Sequence, residues 1–282
     1  MLSAHQRHWG VEQWTAYLKG QDMPIMPRSR YLLQVAVAGE AETLSPRDLV
    51  GIVTGDPFLA LRLLIQADKH HSRTLGHDIT TPLATILQAG LDELLHIINH
   101  SPLCDDSLPG LAEAEFRSAT ASFLARRWAA WRADISPDEV ALAALLADIG
   151  EVMLWHFVPE IPLKVAEELR LGRAFRTLQA QQQAAGFSFK SLSLSLADAW
   201  GLPLLLTQLI RGVDSVRANI ARIATDTARH LEADPENPAI PADITALHVF
   251  LPGASLQTLL EPLPISDEYR AGVLQVLGLD AG

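Results

Sequence analysis

A hydroxyl or carboxylate followed at once by proline opens one segment after another in this chain, and glycine closes most of them. Ser136-Pro137-Asp138-Glu139 places a capping hydroxyl, a proline at the first helical position and a carboxylate at the third, directly ahead of an apolar run. Ser45-Pro46-Arg47-Asp48 repeats the design, and Asp56-Pro57 and Thr81-Pro82 are shorter versions. Gly39, Gly55, Gly90, Gly150, Gly172 and Gly201 each follow an apolar-periodic segment, where a left-handed cap favours glycine. A chain punctuated in this way is expected to be all-α. Two segments need arbitration. Residues 191–196 alternate with period two but run into Ala197-Asp198-Ala199-Trp200, and are read as helix. His248-Val249-Phe250-Leu251, bounded by Pro252-Gly253, is a candidate for a short extended piece.

With 282 residues and 49% hydrophobic content, the chain has ample material for a buried core. Its 22 Lys and Arg against 33 Asp and Glu give a net charge of −11, which opposes nonspecific binding to nucleic acid or an anionic membrane. The pair Arg126-Arg127 reads as a solvated helix face. A lone cysteine, Cys104, excludes an intrachain disulfide and a multi-thiolate zinc site and fits a cytoplasmic location, while Asp105 and Asp106 beside it disfavour a thiolate. No targeting segment is read, and the longest apolar run, 141–147, is far short of a membrane span. Residues 1–22 are expected to form an amphipathic helix carrying Trp9 and Trp14, 23–214 the main helical unit, and 215–282 a C-terminal helical extension. A polar link at 233–238 interrupts that extension.

Five motifs in a fixed order carry a family resemblance. They are the proline-rich lead Met23-Pro24-Ile25-Met26-Pro27; Asp56-Pro57 before a leucine-rich helix, followed by Asp68-Lys69 in place of the usual Asn-Ser; and Ile79 before a helix ending at Gly90. The run Leu145-Leu146-Ala147-Asp148-Ile149-Gly150 and Trp200-Gly201-Leu202-Pro203 complete the set. Over residues 23–214 the chain resembles the HDOD family, the HD-related output domains of bacterial signalling proteins such as response regulators. The resemblance implies a multi-helical, HD-like fold with helical additions at both ends. It marks Asp56, Pro57, Asp148, Gly150, Trp200, Gly201 and Pro203 as family signature positions, structural or vestigial.

Metal-binding HD relatives carry His directly before the Asp, where this chain has Ala147, and further His near Arg117-Ser118, Phe189 and Gly212-Val213. Arginine cannot ligate a metal at neutral pH. The resemblance therefore implies a degenerate member with no catalytic residue, metal or cofactor, whose Asp148 bonds nearby amides or pairs with a base such as Arg117. The expected role is noncatalytic regulation through another signalling protein, a small ligand, or self-association. The alternative is a divergent phosphohydrolase acting on a nucleotide or cyclic dinucleotide, with His70, His71, His77 or His156 converging on Asp148.

Rival sites are weaker. His77-Asp78 lies in a polar stretch without a preceding apolar helix, and His70 and His71 would point about 100° apart on a helix. His96 and His100 share a helical face, but the segment lacks a metalloprotease's Glu, and an imidazole at a helix end also serves the exposed carbonyls. Glycine-rich phosphate loops and a nucleophile-elbow serine are absent from the sequence. Trp128 and Trp131 read as helix packing.

Overall fold

The computed structural model describes residues 2–3, 5–38, 45–69, 79–105 and 107–278. Among them no strand occurs, only an isolated parallel bridge between Ile25 and Leu103. After a 3-10 turn at Gln6–His8 come α1 (Val11–Lys19), α2 (Pro27–Ala38), α3 (Val50–Thr54), α4 (Pro57–Lys69), α5 (Pro82–Ala89) and α6 (Leu91–His100). The central helices are α7 (Pro109–Ala129), α8 (Pro137–Leu146), α9 (Ile149–Phe157), α10 (Glu160–Arg170), α11 (Thr177–Ala185), α12 (Phe189–Ala199) and α13 (Leu204–Arg211). The chain finishes with α14 (Val216–Ala233), α15 (Ile240–Phe250), α16 (Leu256–Leu260) and α17 (Asp267–Val276).

Side-chain caps explain several of the starts. The Ser136 hydroxyl accepts from the Glu139 amide to begin α8, and Thr81 accepts from Ala84 to begin α5. Ser45 behaves differently: its amide and hydroxyl both donate to Asp48, closing a turn, and α3 begins only at Val50. Residues 248–250, a candidate extended piece, are the last turn of α15, because Leu247 and Leu251 are wanted on one helical face of the core. Trp9 precedes α1 and packs edge-on against Trp14, and α1 docks on α12 through a bond from Thr15 Oγ1 to Ser195 Oγ. Gly39, His70, His71, His77, Asp78 and Asp106, singled out from the sequence, lie outside the described residues.

Two apolar cores share one wall. The first gathers α1 to α6 and α9 to α13; the second gathers α14 to α17. Helices α7 and α8 feed both, with Leu111 and Leu145 in the first and Trp128 and Val140 in the second. This is why α8 is buried on every side from Val140 to Leu146. By length and hydropathy Pro137–Phe157 would suffice to cross a membrane, more than the 141–147 run suggested, because α8 and α9 add together across Asp148. Its most apolar window is 67% buried by the rest of the protein, which marks core helices.

Gly150 does not cap a helix end. It is the second residue of α9, where that helix crosses α12 so closely that a Cβ would lie 2.8 Å from the Ser193 amide nitrogen and 2.9 Å from the Phe189 carbonyl. The Ser193 hydroxyl accepts from the Gly150 amide at 3.0 Å and donates to the Phe189 carbonyl at 3.2 Å. Both obstacles are backbone atoms, so Gly150→Ala must push the helices apart. We expect it to cost about 1–3 kcal/mol in urea unfolding. A loss below about 0.5 kcal/mol would show that the crossing is loose.

Candidate functional site: an arginine-filled carboxylate cluster beside a cleft

Asp148 sits at the joint between α8 and α9, where the backbone leaves helical geometry for one residue (φ −107°, ψ 22°). Its carboxylate caps neither helix. Oδ2 accepts from the Arg229 guanidinium at 2.9 Å and lies 3.9 Å from Nε of Arg117. Arg117, projecting from α7 with a side chain only 8% exposed, reaches Glu151 of α9 at 2.8 Å and Glu232 of α14 at 2.7 Å. Burial works against this charge, but Glu151, Asp148 and Glu232 together outweigh it and hold the Arg117 pKa above its ordinary value. Arg229 is shared with Asp226 at 3.3 Å. The closest base to Asp148 is thus Arg229, with Arg117 next.

This donor set does not fit a divalent cation. A fixed guanidinium stands among the three carboxylates, and a metal there would face its positive charge at contact distance. Among the described residues no group of three or more His, Cys, Asp or Glu side chains is arranged to hold a metal ion.

A cleft of about 500 Å³ opens over the cluster. Asp148, Glu151 and Arg229 line it together with Leu178 of α11, Phe189 and Lys190 of α12, Leu209 and Ile210 of α13, and Arg222 and Asp226 of α14. Phe189 is buried and supplies apolar wall. Lys190 makes no ion pair among the described residues, whereas Arg222 and Arg229 are both tied to Asp226. The walls are apolar and the rim is charged with both signs, the usual make-up of a small-ligand or peptide pocket.

The other signature residues lie elsewhere and bear on the fold. Asp56 is completely buried and caps α4 by accepting from the Leu59 amide at 3.0 Å. Its other oxygen accepts from the Met26 amide at 2.8 Å and the Ser29 hydroxyl at 2.7 Å, pinning the proline-rich lead to α4. Burial pushes its pKa up, against the pull of these donors and of Arg28. Pro57 is the first residue of α4. Trp200, Gly201 (φ +68°) and Pro203 make the tight turn from α12 into α13 and so place Leu209 and Ile210 on the cleft; none of the three lines it.

His96 and His100 stack at 4.3 Å, and Nδ1 of His100, the last residue of α6, lies 2.9 Å from the His96 carbonyl, the helix-end arrangement. His156 is half-buried between Phe58 and Phe157, with its pKa lowered by burial. Two turns along α9, it stands about 12 Å from Asp148 and cannot join it. Trp128 is core, donating to the Leu259 carbonyl at 2.9 Å, while Trp131 is 53% exposed, so the expected shared packing holds for one ring only. Arg229 and Glu232 escaped the sequence reading because they lie some 80 residues downstream; their only local signal is a three-residue spacing on one helix face.

No curated protein matches this chain. In fold it is similar to the MmoQ response regulator of Methylococcus capsulatus str. Bath, at 18% identity, TM-score 0.62, and coverage of 91% of this chain and 99% of that one. It is likewise similar to a virulence factor (cj0248) of Campylobacter jejuni subsp. jejuni, at 18% identity, TM-score 0.68, and coverage of 93% and 99%. The HDOD domain model matches residues 23–216, more than half of the sequence, and spans the lead, the Asp56 cap, the Asp148 joint and the α12–α13 turn. The chain belongs to the HDOD domain family.

Proposed function

We propose that this protein is a noncatalytic, cytoplasmic regulatory module of bacterial signalling, a degenerate family member that works through contact with another protein or a small ligand. The observation that carries this reading is the Arg117 guanidinium standing among Asp148, Glu151 and Glu232, so that the cluster's charge is neutralised from within. Kinship in fold with a response regulator supports it. The position of the cleft supports this reading, because its walls belong to α12 and α13 of one core and α14 of the other. An occupant that competes for Arg229 loosens the joint between the two cores, which gives binding a conformational consequence.

The test is metal dependence. The purified protein is expected to carry no stoichiometric divalent ion by elemental analysis. Its melting temperature should not respond to millimolar Mg²⁺, Mn²⁺, Zn²⁺ or EDTA, and it should not hydrolyse phosphomonoesters or phosphodiesters. A bound ion whose removal lowers the melting temperature, with hydrolysis lost in Asp148→Ala, would replace this reading by that of a phosphohydrolase.

A further inference from the structure

Helix α7 buries one side in the two cores and leaves the other bare. On the bare side Phe116 is 57% exposed, Phe123 53%, and Trp131, just past the helix end, 53%. Isolated apolar side chains on a surface are ordinary, but three aromatic rings along one helix are not. The face reads Glu113, Phe116, Thr120, Phe123, Arg127, a 3-4-3-4 spacing. That is the spacing of a seam that packs against another helix at a shallow angle.

Glu113 and Arg127, at the two ends of this seam, are exposed and make no ion pair or hydrogen bond among the described residues, whereas neighbouring Arg126 is held by Asp138 at 2.8 Å. Each lies seven residues from Thr120, on opposite sides, roughly 10 Å along the axis. We propose that this face is a homodimer interface, in which α7 of one copy packs antiparallel on α7 of a second copy about a two-fold axis near Thr120.

In that arrangement Glu113 of each copy meets Arg127 of the other, and Phe116 of each meets Phe123 of the other. A parallel arrangement would set Glu113 against Glu113 and Arg127 against Arg127. The seam is therefore complementary to itself in one orientation only, as an isologous contact requires. The three rings offer roughly 350 Å² per protomer, taking about 200–250 Å² for a whole aromatic side chain. With the flanking helix surface this falls at the low end for a specific interface, so the dimer is reversible and concentration-dependent.

Sedimentation velocity of the full chain over a concentration series tests the proposal. The wild type is expected to shift from monomer to dimer in the micromolar range. Phe123→Glu should weaken the dimer at least about tenfold, a hot-spot loss, with an unchanged melting temperature at concentrations where both proteins are monomeric, because the ring is exposed. Glu113→Arg alone and Arg127→Glu alone should each weaken it, and the double exchange should restore it. A wild type that stays monomeric to about 100 μM, a standard of weak association, would overturn the proposal and leave the face to another partner. A dimer indifferent to Phe123→Glu, or singles not rescued by the double exchange, would overturn it equally.

Discussion

Arg117→Ala should destabilise the protein by about 3–5 kcal/mol, the range for removing one partner from a buried ion-pair network. The wild-type guanidinium holds Glu151 at 2.8 Å and Glu232 at 2.7 Å with Asp148 at 3.9 Å, and Arg229 alone cannot neutralise all three. The loss should show in urea unfolding at pH 7 and shrink as the pH falls, because protonating the carboxylates relieves their repulsion in the folded variant. Arg117→Lys keeps the charge but not the fork that reaches two carboxylates at once, so it should recover only part of the stability. The vacated cluster also becomes a set of oxygen ligands without a resident cation. Mn²⁺ should therefore raise the melting temperature of Arg117→Ala while leaving that of the wild type unchanged. A deficit under about 1 kcal/mol, the scale of an exposed pair, would mean that water already screens the cluster.

Asp56→Ala should cost a similar amount, about 3–5 kcal/mol, for a different reason. The carboxylate is the cap of α4, worth about 0.5–2 kcal/mol, and it also serves the Met26 amide and the Ser29 hydroxyl, buried donors that would each lose their partner. Asp56→Asn keeps one acceptor oxygen and should fall between alanine and wild type. Hydrogen exchange locates the effect: protection should drop at Met26 and Leu59 before it drops in α14. Uniform loss across the chain would show that the lead and α4 do not form a locally cooperative unit.

Much of the fold can be read from local chemistry. Caps such as Ser136 and Thr81 mark helix starts because the satisfied amides lie two or three residues away in the chain. The exceptions share a cause. Ser45 carries the cap signature but closes a turn on Asp48, and Gly150 sits where a terminating glycine would sit but lies inside a helix. In both, a local pattern compatible with two geometries was decided by what packs around it. The exposure of Phe123 and Trp131 beside buried Leu124 and Trp128 has the same origin, since periodicity gives the faces of a helix but not how many of them find a neighbour.

The sequence by itself determined that this chain is all-α, which motifs it shares with the HDOD family, and that the residue directly before Asp148 is Ala147. These are properties of residues and their near neighbours along the chain. Only the tertiary structure decided that Arg117 would stand among Asp148, Glu151 and Glu232, that Arg229 from α14 would complete the cluster, and that a cleft would open over it. Those partners come from α7, α9 and α14, and charges distant in sequence meet only because the buried wall of α7 and α8 carries both cores on its two sides.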